Sequence, residues 1–589
     1  MDLTEQLRVL DAAKGDPAKL ALATVDLAYP TLEEAERAAL RQSLEAAAIP
    51  HWCDETMLAA LLEIPLDESA AQLSGLNKLT VLEPFRARGE NAVNVHEATR
   101  LALRQAMATN SLNRFRTLST RMVALFASDF TPAGRIEWIY HFLCGDPDRG
   151  ATELAKLFRE WTRSANIEDR YALGAALSEL EKTHLVEGRA RVWTVLYIAS
   201  LRVDRGEASQ LENVGTLALQ LAKDAADQTA EADALCLLGD ALRAQGKLVE
   251  ARGAFGKFQD LCARLAEQDA TNDDRQSDLA VAYNRMGGVL EAQGKLPEAY
   301  DAFVKSLTIL RTLADREPSN AGRRRDLATG QGRIGDILQA QGKLPEAQEA
   351  FANCLSMCQQ LVQLNPTNAE WQQLLASAHA QVGDVLMDQN KLEDAQREYK
   401  DYLEISRRLV EREPTNAGWQ LDLAVAQSRV GDVLQVQGKM PEAQEAFVEY
   451  LSISRRLAEQ DSSNADTRDH LAVAHGRIGV LLETEGKLEE AQVEYEEYLS
   501  ISHQLVALDP TSAAWQGRVV NAARLLATLK VKEGKYEEAL KLYEEATKVL
   551  DALTEGAPGF AQWAQDKKNL EAEIAKCRSL MSDGKKSDQ

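Results

Sequence analysis

No stretch of the 589 residues reaches the roughly 18 uninterrupted apolar side chains that a membrane-spanning helix requires. The N-terminus, "MDLTEQLRVLDAAKGD", lacks the basic start and apolar run of an export signal, so a soluble cytoplasmic protein is expected. Cysteine is scarce: seven residues, at 53, 144, 236, 262, 354, 358 and 577, are too few and too scattered for a disulfide framework. No H-E-x-x-H occurs, and "HEATR" at His96 lacks a second histidine ligand. His470 and His475 are five apart and share a helix face poorly, and Cys354 with Cys358 offers two thiols without a third ligand. Packing is the better account of those cysteines. No phosphate loop is present either: in "GDILQAQGKLPEAQEAF" a leucine, not Ser or Thr, follows the Gly-Lys. No catalytic residue, metal or cofactor is therefore expected, and no enzyme. Basic charge is also in deficit. With 67 Lys and Arg against 91 Asp and Glu the net charge is -24, a field that repels nucleic acid on average.

What is present is a repeat. The Gly-Lys recurs with its glycine at 246, 294, 342, 438, 486 and 534, Asn390 filling the gap, so every interval is 48 residues or its double. Pro318, Pro366, Pro414, Pro510 and Pro558 keep the same beat, as do Trp371, Trp419, Trp515 and Trp563. Seven copies in register mean duplication of a structural unit. Each reads as two helices. The first, such as 326–341, ends at a glycine able to adopt the left-handed conformation that closes a helix. The second opens at "LPEA", where Pro297, Pro345 and Pro441 occupy a first turn that needs no donor. One hairpin cannot bury its own apolar stripe, so neighbours must stack.

These residues resemble the tetratricopeptide repeat family. Its small-large-small ladder falls on Gly335, Leu338, Ala347, Phe351 and Cys354, and again on Gly383, Ala395 and Tyr399 or Gly431, Ala443 and Phe447. The departure is length, 48 residues against about 34 in the family, with the excess expected in the second helix. The expected architecture is all-α: a right-handed tetratricopeptide-like α-solenoid over 229–555, preceded by a small winged-helix-like segment (1–110) and irregular helical hairpins (111–228). A capping helix and a frayed tail are expected over 556–589.

The winged-helix reading rests on a hairpin, Leu79 to Phe85 with Ala92 to Val95, followed by a helix from His96. The run "NVHEATRLALRQAM" also resembles the winged-helix end of bacterial STAND signalling ATPases, without the ATPase. Lys78, Arg86, Arg88, Arg100 and Arg104 cluster here. A basic wing can bind DNA, while the plainer reading pairs these residues with acidic neighbours.

The most informative polar pattern lies on the first helices, whose inner face lines the groove of such superhelices. Asp240, Asp336, Asp384 and Asp432 each follow a ladder glycine, and Arg285, Arg333, Arg429 and Arg477 lie three residues before that position. Arg333 with Asp336, and Arg429 with Asp432, have the i, i+3 spacing of same-face pairs. Either this is a solvated ion-pair ladder, or it is a polar groove that grips a partner. The expected function is a non-enzymatic scaffold or regulatory subunit binding one or more proteins, a protease or transcription-regulating effector among the candidates. The alternative is a DNA-binding regulator with the repeats as sensor.

Overall fold

The computed structural model describes residues 8, 10–86, 91–164, 167–205, 207–556 and 561–587. Among them no helix is long and apolar enough to cross a membrane. The chain divides into two compact units: residues up to Leu201 with Gln220–Ala230, and Arg202–Leu219 with Glu231 onward.

The first unit opens with four helices, Pro17–Ala28, Glu34–Ala47, Glu55–Leu62 and Leu66–Leu76, then an antiparallel hairpin of Leu82–Pro84 and Val93–Val95. Cys53 bridges Val93 from the other side, so three extended segments lie edge to edge. The hairpin falls where the alternating pattern places it; its turn, including Arg88, lies outside the described residues. Six helices follow, Glu97–Asn110, Leu112–Phe126, Pro132–Gly145, Pro147–Ser164, Ile167–Lys182 and Gly188–Asp204.

The second unit is the repeat array. From Asp273–Ala292 onward each first helix is 20 residues long, and from Leu248–Gln268 onward each second helix is 21. The extra length is therefore shared by both helices rather than confined to the second. The reason is a cap that the apolar pattern does not reveal. Asn320, Asn368, Asn416 and Asn464, in the loop between units, each accept the backbone N–H three residues on. Such a cap satisfies an otherwise orphaned donor, so the helix nucleates directly after the loop instead of a turn later.

Each first helix stops where the repeated glycine, or Asn390 in the fourth repeat, stands. Gly342 has φ +77, the Gly342 N–H donates to Gln339 O and the Lys343 N–H to Leu338 O, both at 2.8 Å, closing the helix. The ladder glycine provides the other close approach. A methyl group at Gly335 would sit 2.4 Å from the Phe351 ring, and the same holds within 0.1 Å for Gly383 against Tyr399 and Gly431 against Phe447. Those rings are almost wholly buried and join successive units into continuous cores. Cys354 and Cys358 belong to this packing: their sulfurs are 3.9 Å apart in a small buried cluster with Ala328 and Ala378. The closing helix runs Ala561–Ser587, within the segment where a capping helix and tail are expected.

Candidate functional site

The eight groove residues singled out in the sequence converge on one ladder, but not with the expected partners. Arg429 donates to Asp384 at 3.0 Å and Arg477 to Asp432 at 2.9 Å, each 45 residues back along the chain. Arg285 reaches Asp240 at 3.0 Å across the same interval. The ion pairs therefore run between units, not along one helix, and the expected Arg429–Asp432 pair is not the one formed. Neighbouring first helices lie side by side, so an arginine three residues earlier in the next helix faces the preceding aspartate directly.

The exception follows from the same rule. The second repeat carries Gly288 where the aspartate would be, and Arg333 lies 3.7 Å from its own Asp336 while also attracting Glu291 of the preceding first helix. Asp336 in turn receives an amide from Gln381 at 2.9 Å, where other units have arginine. A second rail joins Gln339 to Asp388 and Lys532 to Glu483, at 2.7 and 2.8 Å. A third joins Gln373 to Asp422 and Arg518 to Asp469, at 2.7 and 3.0 Å. Sequence reasoning missed these rails, although spacings of 45 and 49 residues would have found them. Between units two and four the groove deepens into a cavity of about 360 Å³ bounded by Asn284, Arg325, Asp326, Thr329, Glu370 and Gln373.

Several carboxylates of the first helices are under-neutralised. Burial pushes Asp336 up to about 6, with Arg333 and Gln381 opposing and Asp384 adding repulsion. Burial and the charge of Asp336 carry Glu291 to about 7, and burial carries Asp422 to about 6 against the Gln373 amide. Asp384 and Asp432 are raised for the same first reason, their arginines opposing. A carboxylate whose folded pKa is raised contributes stability that is present below its unfolded pKa and is lost as pH rises through the folded value. Combined Glu291→Gln, Asp336→Asn and Asp422→Asn changes should therefore raise the urea midpoint over wild type at pH 7, with the gap narrowing at pH 5 and closing only near pH 4, at the unfolded carboxyl values. A gap independent of pH would contradict this electrostatic account.

Of the four described basic residues singled out in the N-terminal segment, two, Arg100 and Arg104, are buried. Arg104 is wholly buried, donating to the Ala48 carbonyl at 2.7 Å, to the Tyr140 hydroxyl at 2.5 Å and to Glu179. Arg100, 7% exposed, binds Asn94 and Glu179, both at 3.1 Å. Lys78 stacks over the Tyr29 ring, 5.4 Å from its centroid, and Arg86 is exposed. Two of the five residues of the expected nucleic-acid patch are thus internal counter-charges to Glu179, and the patch does not exist as drawn. Nor do the histidines pair: His475 bonds Glu494 at 2.6 Å and His470 faces the Tyr450 hydroxyl at 3.1 Å. Among the described residues no group of three His, Cys, Asp or Glu side chains is placed to hold a metal ion.

No protein-family model matches the chain, and no curated protein matches it in sequence. Solved structures resemble it. A STAND signal transduction ATPase with a tetratricopeptide repeat sensor, from Pyrococcus horikoshii, shares 14% identity over 87% of this chain and 72% of its own, with a TM-score of 0.47. A Rap protein complexed with competence and sporulation factor shares 14% over 66% and 99%, with a TM-score of 0.38. The apo form of RapI shares 14% over 69% and 99%, with a TM-score of 0.41. The likeness is one of architecture. The chain is an all-α protein built on tetratricopeptide-like helical hairpins stacked into a solenoid.

Proposed function

We propose that the chain is a non-enzymatic scaffold or regulatory subunit that binds a partner protein along the concave face of the repeat array. The observation that carries this reading is the inter-unit ladder itself. It holds carboxylates at Glu291, Asp336 and Asp422 in a part-buried groove with less positive charge than they need, which favours a partner presenting lysine or arginine. An effector held or released by such a groove, a protease or transcription regulator, is consistent with it.

The hairpin region is proposed to be a winged-helix-type fold used for packing rather than for DNA. What supports this is the pairing of Cys53 with Val93 beside the hairpin, together with the burial of Arg100 and Arg104.

The test is a steric block that leaves the ladder intact. Thr329 and Ser377 line the groove cavity, and neither side chain donates beyond its own helix. Affinity purification of the full chain from its native host should recover a partner that a Thr329→Arg, Ser377→Arg double variant retains at least tenfold less well, with the unfolding midpoint unchanged. Equal recovery by both proteins removes the groove from the reading.

A further inference from the structure

The turn between the two helices of the first repeat, Gln228–Ala244 and Leu248–Gln268, does not end in solvent. Gly246, φ +79, lies under Trp515 of the seventh repeat, whose ring would stand 1.9 Å from a methyl group placed on the glycine. At the equivalent Gly438, Gly486 and Gly534 nothing stands within 4 Å of that place. Two residues on, the Leu248 N–H, shared with the Gly246 carbonyl, donates to Asp509 Oδ2 at 2.6 Å across 261 residues of chain. The Ser209 hydroxyl donates to Asp461, 252 residues away, while the Ser209 carbonyl accepts the Gln245 amide at 2.5 Å. Arg243 and Asp466 attract each other across the same seam. The contact is dry: Ser209 is 1% and Asp509 3% exposed, whereas Glu317 and Asn365, at the same loop position in other units, are exposed.

We propose that this seam is a clasp, a reversible closure that joins the first repeat to the loops entering the sixth and seventh and so sets how far the groove opens. The functional half of this inference rests on the groove being the partner site. Two features separate the clasp from the packing between neighbours. Successive units share apolar cores built from rings such as Tyr399, Phe447 and Tyr450, whereas the seam consists of carboxylate, hydroxyl and amide contacts plus one indole. It also joins segments whose described cores are separate, Leu248 belonging to one and Trp515 to another. Trp515 packs on Ala465 and Leu505 within its own neighbourhood, so separating the seam leaves every unit's interior in place. A stack of rods held laterally by apolar cores and closed end to end by a polar latch opens at the latch first.

The experiment uses the full chain without partner. Gly246→Ala and Gly438→Ala carry the same left-handed backbone penalty, at φ +79 and +75, but only the first drives a methyl into the indole. Amide exchange over 245–250 and 509–516 should accelerate at least tenfold in Gly246→Ala, with a larger radius of gyration in solution scattering. Gly438→Ala should leave both segments and the radius unchanged. Asp509→Asn, with Asp269→Asn as its control, guards against a strained variant that fails to fold. Asp269 holds Thr271 as Asp509 holds Thr511, without a clasp contact. If exchange over 245–250 in Gly246→Ala and Asp509→Asn is no faster than in their controls, the clasp does not exist. Because no partner is present, that failure leaves the groove reading standing, just as a failed steric block leaves the clasp standing.

Discussion

Replacing Phe447 by alanine is expected to remove about 3–5 kcal/mol of stability, the usual range for deleting a buried aromatic ring. The ring is 0% exposed and fills the space left by Gly431, whose missing Cβ would otherwise stand 2.5 Å away. No neighbouring side chain can collapse into the void cheaply, because Ala443, Val433 and Leu434 are held by the same core. In a repeat array each unit is stabilised by its neighbours, so the loss should appear locally. Amide exchange in the fifth repeat and its two neighbours should accelerate together, well before the first repeat responds. Phe447→Tyr provides the rescue. Tyr399 and Tyr495 already occupy this register in other units, their hydroxyls donating to Asp384 and Glu483 at 2.7 Å. A tyrosine at 447 finds Asp432 at the position corresponding to Asp384 and should retain most of the stability. A loss below about 1 kcal/mol for the alanine variant, measured by urea unfolding, would show that the ring is not the joint between units.

The two-helix unit, its turn glycine and its aromatic plug were legible in the sequence because each repeats at a fixed interval and each has a local physical cause. The polar chemistry was legible only in part. Helical spacing brings Arg429 and Asp432 to one face, and a single-helix argument stops there. The stacked array offers Arg429 a closer acceptor in Asp384, 45 residues earlier, which only the distance between neighbouring helices decides. The first helices begin earlier than their apolar pattern because an asparagine cap acts through one hydrogen bond and leaves no hydrophobic trace. The contact of Gly246 with Trp515 has no periodic signature at all. It depends on the accumulated turn of six units, and the residues that make it, Ser209, Asp461 and Asp509, look like ordinary loop residues. The burial of Arg104 was hidden for a related reason: its partners Ala48, Tyr140 and Glu179 come from three separate helical segments of the N-terminal unit.

That last cluster carries the other large expected effect. Glu179→Gln should lower the stability of the N-terminal unit by about 3–5 kcal/mol, the cost of breaking a buried ion pair from one side. The Arg104 guanidinium is wholly enclosed and cannot shed its proton, so loss of the carboxylate leaves a full charge among neutral acceptors alone: the Tyr140 hydroxyl, the Ala48 carbonyl and the new amide oxygen. Arg100 is stranded too, keeping Asn94 alone. Glu137 cannot substitute: it is committed to His51 at 2.6 Å and lies 3.3 Å from His141. Burial would raise its pKa, but those two imidazoles outweigh burial and hold it well below the usual carboxylate range. Replacing both partners by similar-sized apolar residues, Arg104→Met with Glu179→Leu, separates charge from shape. An uncompensated charge predicts that the double variant recovers the share of the loss owed to Arg104, with Arg100 still lacking its carboxylate, whereas a purely steric role predicts that it does worse. The readout is amide exchange in Glu97–Asn110 alongside the urea midpoint of the full chain. Recovery would establish that Arg104 serves to neutralise Glu179, and hence that this part of the basic run is internal architecture, not a surface for nucleic acid.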